Sequence, residues 1–194
     1  MSYNPKKQAE HKERVDSAIE QAQEERGQVL IVTGNGKGKT TAGFGTAFRA
    51  LGHDQKVAVV QFVKGNLECG ERNLLEQLNV PIHTMNTGFS WNSEDKESDK
   101  QAAQMAWQQA KAFLSDDSFD LVLLDELTYM VTWGFIELED ILKYLQARPT
   151  EMSVIITGRA AHRELKAYAD TVSEVRPEKH AFQQGLKARI GLDW

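Results

Sequence analysis

The chain has 194 residues, 41% hydrophobic and 26% charged, the balance of a soluble globular domain of ordinary to large size. No apolar run approaches the ~18 residues a membrane helix needs, and the start, MSYNPKKQAEHKERVD, lacks the apolar core of a secretory leader and is too acidic for a transit peptide, so the expected location is the cytoplasm. The net charge of -5 argues against a dominant nucleic-acid-binding face, and the single cysteine, Cys69, precludes an intrachain disulfide or a cysteine zinc cluster. Cys69 is read as an ordinary, partly buried residue in preference to a catalytic thiol.

Residues 1–26 are densely charged and contain no glycine. Val15, Ala18, Ile19 and Ala22 recur at i, i+3, i+4 and i+7, which predicts a helix with a narrow apolar stripe. It is either a solvated arm or a helix that docks weakly on the body or on a second subunit. Residues 27–194 are read as a single domain, without internal repeat or low-complexity linker. Gln28–Thr33 is an apolar, β-branched run suited to a strand covered on both faces. A glycine-rich turn and a helix over Lys39–Leu51 follow. Lys56–Val63 reads as a strand, Glu71–Leu78 as a helix and Val80–Met85 as a strand. Asn86–Ser98 is polar and aperiodic, a loop carrying the aromatics Phe89 and Trp91. Asp99–Leu114 (helix), Phe119–Asp125 (strand), Leu138–Leu145 (helix), Ser153–Thr157 (strand), His162–Ala169 (helix) and Thr171–Val175 (edge strand) complete the chain. Strands alternating with helices predict an α/β fold with a mainly parallel central sheet of five or six strands, flanked by helices.

Between the first strand and its helix lies Thr33-Gly-Asn-Gly-Lys-Gly-Lys-Thr-Thr41. Gly38, Lys39 and Thr40 match the end of the phosphate-loop pattern G-x-x-x-x-G-K-[ST]. Its first glycine falls on Thr33, and Gly34 and Gly36 supply the backbone freedom instead. Such a loop crowds main-chain N–H groups around an anion. The helix beginning near Lys39 adds free N–H groups and roughly half a positive charge from its dipole. Lys39 brings a full charge to the outer phosphates, and the Thr40 hydroxyl is placed to ligate Mg2+. Asn35 and Thr41 lie in the same turn. Lys37 is either a further phosphate contact or a solvated charge. The fourth strand ends in Asp125 and Glu126, two acids at the carboxyl edge where parallel sheets collect ligands, and one of them is expected to hold Mg2+. His11, His53, His83, His162 and His180 are scattered and form no metal motif.

A nucleotide site of this kind serves γ-phosphoryl-transferring ATPases and kinases, and non-enzymatic ATP-binding regulators, equally well. The wider motif set is more specific. Gly34-Asn-Gly-Lys-Gly-Lys-Thr-Thr41 with Ala42–Ala50, Val59-Val-Gln-Phe-Val-Lys-Gly65, Gly88-Phe-Ser-Trp91, Leu123-Leu-Asp-Glu-Leu127 and Ile155-Ile-Thr-Gly-Arg159 together resemble the P-loop (RecA-like) ATP:corrinoid adenosyltransferases of the bacterial cobalamin pathway, over nearly the whole chain. The resemblance implies that cobalt(I) of a reduced corrinoid attacks the 5′ carbon of ATP and that triphosphate leaves intact. It implies a triphosphate reversed in the loop, with Lys39, the loop amides and Mg2+ (Mn2+ as an alternative) stabilising the leaving charge. It also implies that Phe89 and Trp91 displace the lower axial ligand of cobalt, that Asn35 contacts the ribose, that Arg49 is a further candidate nucleotide contact, that the N-terminal helix is a lid closing over corrinoid and ATP, and that the protein is a homodimer using a donor such as reduced flavodoxin. The acidic charge balance and the lack of a long apolar run separately predict no nucleic-acid and no membrane partner.

Overall fold

The computed structural model describes residues 4–63, 69–85 and 96–193. In chain order the elements are α1 (Pro5–Gln21), β1 (Val29–Thr33), α2 (Lys39–Leu51), β2 (Val57–Gln61), α3 (Gly70–Gln77), β3 (Ile82–Thr84), α4 (Lys96–Leu114), β4 (Leu121–Asp125), α5 (Leu127–Thr132), α6 (Leu138–Ala147), β5 (Ser153–Thr157), α7 (Arg163–Tyr168) and β6 (Thr171–Glu174), followed by a 3-10 turn at Ala181–Gln184. The strands form one six-stranded sheet in the order β3-β2-β4-β5-β1-β6, and every pairing is parallel. The α/β architecture expected from the alternating pattern is the one observed.

Period-two alternation sorts each central strand between two apolar layers. Val57, Val59, Leu121, Leu123 and Ile155 pack with Phe44, Ala47 and Ala50 of α2 and Leu75 of α3. On the opposite face, Val60, Val122, Leu124, Val154 and Ile156 pack with α4, α5, α6 and α7. Burying a side chain such as Phe44, fully enclosed, contributes roughly 1.5–3 kcal/mol. The first helix differs from all of these: no residue of α1 is buried, and Val15 and Ile19 of its stripe are exposed. Asn4 caps it, accepting from the backbone N–H groups of Lys6 and Lys7.

The amino edge of the sheet is closed by two arginines. Arg148 donates from Nε to the Met152 carbonyl at 3.0 Å, from Nη1 to the Leu145 carbonyl at 2.6 Å and the Tyr168 hydroxyl at 3.1 Å, and from Nη2 to the Gly27 carbonyl at 3.1 Å. Arg26 grips Asp170 through both terminal guanidinium nitrogens, and Asp170 also accepts from the Val29 N–H at 2.7 Å.

Two expectations need amendment. Helix α4 begins at Lys96, so the last three residues of the expected Asn86–Ser98 loop are helical. Glu97 and Asp99 in its first turn suit the positive end of the helix dipole. Helix α5 was not expected at all, because six residues are too few to display a helical period.

Candidate active site

Each strand of the sheet ends on a polar residue: Thr33, Gln61, Thr84, Asp125, Thr157 and Glu174. Because all strands run the same way, these residues share the carboxyl edge, which is where the phosphate loop leaves β1. The loop is held from outside the sheet. Gly36 N–H donates to the Val175 carbonyl at 2.8 Å, and Val175 N–H donates to the Thr33 carbonyl at 2.8 Å. A Cβ on Gly34 would lie 2.4 Å from the Val175 carbonyl oxygen, and one on Gly36 would lie 2.8 Å from Val175 Cγ1. These two glycines are therefore demanded by the chain leaving β6, as well as by any anion in the turn. Gly38, at φ 115°, caps α2 and has nothing near its open side. Lys39 is 7% exposed, and its ammonium donates to the Gly36 carbonyl at 2.8 Å. Thr40 is half-buried in the first turn of α2, while Asn35 and Thr41 are exposed.

Strand β5 lies between β1 and β4, and it ties the acids to the loop strand. Thr157 Oγ1 donates to Asp125 Oδ1 at 2.6 Å and accepts from the Glu126 N–H at 2.9 Å. Gln61 Nε2 donates to Asp125 Oδ2 at 3.1 Å. Asp125, fully enclosed, thus has both oxygens engaged by neighbouring strands and acts as the keystone of the edge. Glu126, 7% exposed, turns away from the strand in the left-handed conformation, at φ 61°. The two acids are adjacent in sequence and have different surroundings. Among the described residues no cluster of three or more acidic, His or Cys side chains could hold a metal alone. The Thr40 hydroxyl and the Glu126 carboxylate are hard oxygen donors. They fit Mg2+, which takes one or two carboxylates and fills its octahedron with phosphate oxygens and water.

The ATP:corrinoid adenosyltransferase BtuR/CobO/CobP family matches residues 25–194 of the chain. The chain belongs to this family. It is 56% identical over 183 residues to the corrinoid adenosyltransferase of Escherichia coli K12, covering 94% of this chain and 93% of that one. It is 53% identical over 188 residues to the corrinoid adenosyltransferase CobA of Salmonella typhimurium LT2, covering 97% and 96%. Among solved structures it is similar to the flagellar accessory protein FlaH of Methanocaldococcus jannaschii, at 13% identity and a TM-score of 0.46 over 77% of this chain and 71% of that one.

Not every residue singled out for this adenosyltransferase fold lies at the edge. Arg49 sits in the last turn of α2, about 15 Å along the helix from Lys39 at 1.5 Å per residue. It lines a groove with Gln28, His53, Leu121 and Ser153 at the amino ends of the strands. The structure does not bring it to the phosphate loop. Lys37 is paired with Asp193 Oδ1 at 2.6 Å, and this contact holds the Asp193 carboxyl below its usual range. Burial pushes the Cys69 thiol up, with Glu71 adding to the rise, which disfavours the nucleophilic thiolate. Phe89 and Trp91 lie outside the described residues.

Sequence reasoning missed Thr157, Thr128 and an aromatic pair on α5. Tyr129 and Trp133 stack at 4.8 Å between ring centroids, 20° apart. Burial, then the Glu126 carboxylate, pushes the Tyr129 hydroxyl up, against the lowering effect of Arg159. Their signal was available: Tyr129 is three residues beyond Glu126 and Trp133 four beyond Tyr129, one helical face. Thr157 was visible as the polar end of an apolar strand, although no local signal placed that strand beside the one ending in Asp125.

Proposed function

We propose that the carboxyl edge around Lys39 and Glu126 is where this chain carries out its family's reaction, transfer of the 5′-deoxyadenosyl group of ATP to cobalt(I) of a corrinoid. The observation that carries the assignment is the pairing of a buried Lys39 in a glycine-built loop with a buried acid pair two strands away. Reduced cobalt donates an electron pair to C5′, a cobalt–carbon bond forms, the C5′–O bond breaks, and its pair departs with triphosphate. Lys39 and the loop N–H groups from Gly34 to Thr41 hold the triphosphate tail-first, so that the sugar carbon faces the nucleophile. Charge grows on the leaving oxygen as its bond stretches, and fixed donors aimed there lower the barrier most. Lys39 leaves the Gly36 carbonyl for the phosphate.

Thr40 and Glu126 would hold Mg2+, or Mn2+ in its place, which when bound neutralises phosphate charge. Asp125 orients the edge through Thr157 and Gln61. Asn35, exposed beside the loop, contacts the ribose. Phe89 and Trp91 press on the lower face of the corrinoid and ease reduction of cobalt(II) by a donor such as reduced flavodoxin. The reading extends to a cytoplasmic homodimer in which α1, with no buried face of its own, closes as a lid over residues 27–194. No helix among the described residues is long and apolar enough to cross a membrane.

Product analysis tests the reaction. With ATP, Mg2+ and chemically pre-reduced cobalamin, the expected products are inorganic triphosphate and a light-sensitive cobalt–carbon bond, in equal amounts. ADP and orthophosphate as the main products would overturn it in favour of γ-phosphoryl transfer.

A further inference from the structure

Four non-glycine residues among those described have left-handed backbones: Asp54, Asn79, Glu126 and Ala160. Asp54 and Asn79 follow α2 and α3, and their short polar side chains tolerate this conformation at helix ends. Glu126 and Ala160 have no such excuse, and both stand at the carboxyl ends of adjacent strands, β4 and β5. Gly158 lies between them along the edge at φ 135°. A Cβ there would sit 2.1 Å from Thr128 Oγ1 and 3.2 Å from Glu126 Oε2. Strain persists where surrounding contacts over-determine it, and such places repay a search for function.

The turn 157–161 is pinned on both sides of Arg159. Thr128 Oγ1 donates to the Arg159 carbonyl at 2.6 Å, fixing it to α5. Ala161 N–H donates to Thr33 Oγ1 at 3.3 Å, fixing it to the residue that opens the phosphate loop. The backbone of Arg159 is thus tied to both halves of the site, the loop strand and the acid helix. Its side chain is exposed, and its guanidinium makes no ion pair or hydrogen bond with any described residue. The turn leaves β5 at the carboxyl edge, beside Tyr129, whose hydroxyl burial and then Glu126 push up and Arg159 draws down.

We infer that Arg159 is a second cation of the polyphosphate site, presented by the locked β5 turn to the triphosphate that Lys39 holds from the loop side. Triphosphate carries more negative charge than one lysine and one divalent ion neutralise. A planar guanidinium matches two phosphate oxygens at once, which an ammonium does not. The inference rests on the reading that the polyphosphate lies in the loop, and it adds a residue of the β5 turn to the groups that touch it.

The test is calorimetric titration of inorganic triphosphate with Mg2+ into the full chain and three variants. Arg159→Ala is expected to weaken binding by about tenfold or more, with an unchanged unfolding temperature because the side chain is exposed. Arg159→Lys recovers part of the affinity. Arg163→Ala removes the same charge four residues away and leaves affinity unchanged. In turnover, Arg159→Ala lowers kcat/KM for ATP and leaves the KM for reduced cobalamin as it was. Unchanged triphosphate affinity in Arg159→Ala, or an equal loss in Arg163→Ala, overturns the inference. The titration decides Arg159 whichever products the parent protein forms, so failure of the reaction assay and failure of this inference are separate results.

Discussion

The two edges of the sheet use positive charge in opposite ways. At the amino edge every guanidinium nitrogen of Arg148 is hydrogen-bonded within the protein, and Arg26 is joined to Asp170 through two nitrogens. At the carboxyl edge Lys39 rests on a carbonyl of its own loop, and Arg159 makes no ion pair with a described residue. The first edge is architecture: its cations satisfy carbonyls that would otherwise be stranded at the ends of strands and helices. At the second edge Lys37 is likewise spent within the protein, on Asp193, and Lys39 and Arg159 are the cations proposed above for a ligand.

Substitutions should break this comparison cleanly. The largest effect is expected from Lys39→Ala, which should reduce formation of the cobalt–carbon product by about a hundredfold or more, measured by absorbance, while the unfolding temperature stays close to that of the parent. Arg148→Ala should do the reverse. It strands three buried or half-buried carbonyls, so a loss of roughly 2–4 kcal/mol of stability is expected in denaturant titration, with kcat of the folded fraction retained. A stability loss from Lys39→Ala matching that of Arg148→Ala would erase the distinction.

The smallest effect sharpens it through pH. The Arg26 guanidinium and the Val29 N–H hold the Asp170 carboxyl down, at about 2, against an unfolded value near 3.9. A depressed carboxyl stabilises the fold fully above its unfolded pKa, and that contribution is lost as pH falls toward the folded value. Stability should therefore decline between about pH 4 and pH 2, and Asp170→Asn should flatten that part of the curve in acid titrations followed by circular dichroism. An identical slope in the variant would show that the pair contributes nothing measurable, as some exposed ion pairs do.

Much of the carboxyl edge could be read before any coordinates. The limits of α2, the loop Gly34–Thr41 and the acids Asp125 and Glu126 follow from local rules: glycine freedom, helix initiation and apolar runs ending in polar residues. Arg49 shows where such reading stops. It shares a helix with the loop, but the helix carries it to the far edge, and only the axial rise makes the distance plain. Arg159 shows the converse: its motif was visible in Ile155-Ile-Thr-Gly-Arg159, but its relation to Thr33 and Thr128 spans more than a hundred residues on one side and thirty-one on the other.

The sequence by itself determined the strands and the glycine-rich loop, because each depends on residues close together in the chain, and the alternation of strands with helices set a mainly parallel sheet through its crossovers. Only the tertiary structure decided that β5 stands between the loop strand and the acid strand, and that Thr157 bonds both the Asp125 carboxylate and the Glu126 N–H. It also decided which arginines are consumed by the protein. Strand order and side-chain pairing arise from contacts between residues far apart in the chain, chosen by packing two apolar layers against one sheet, and no local pattern encodes that choice.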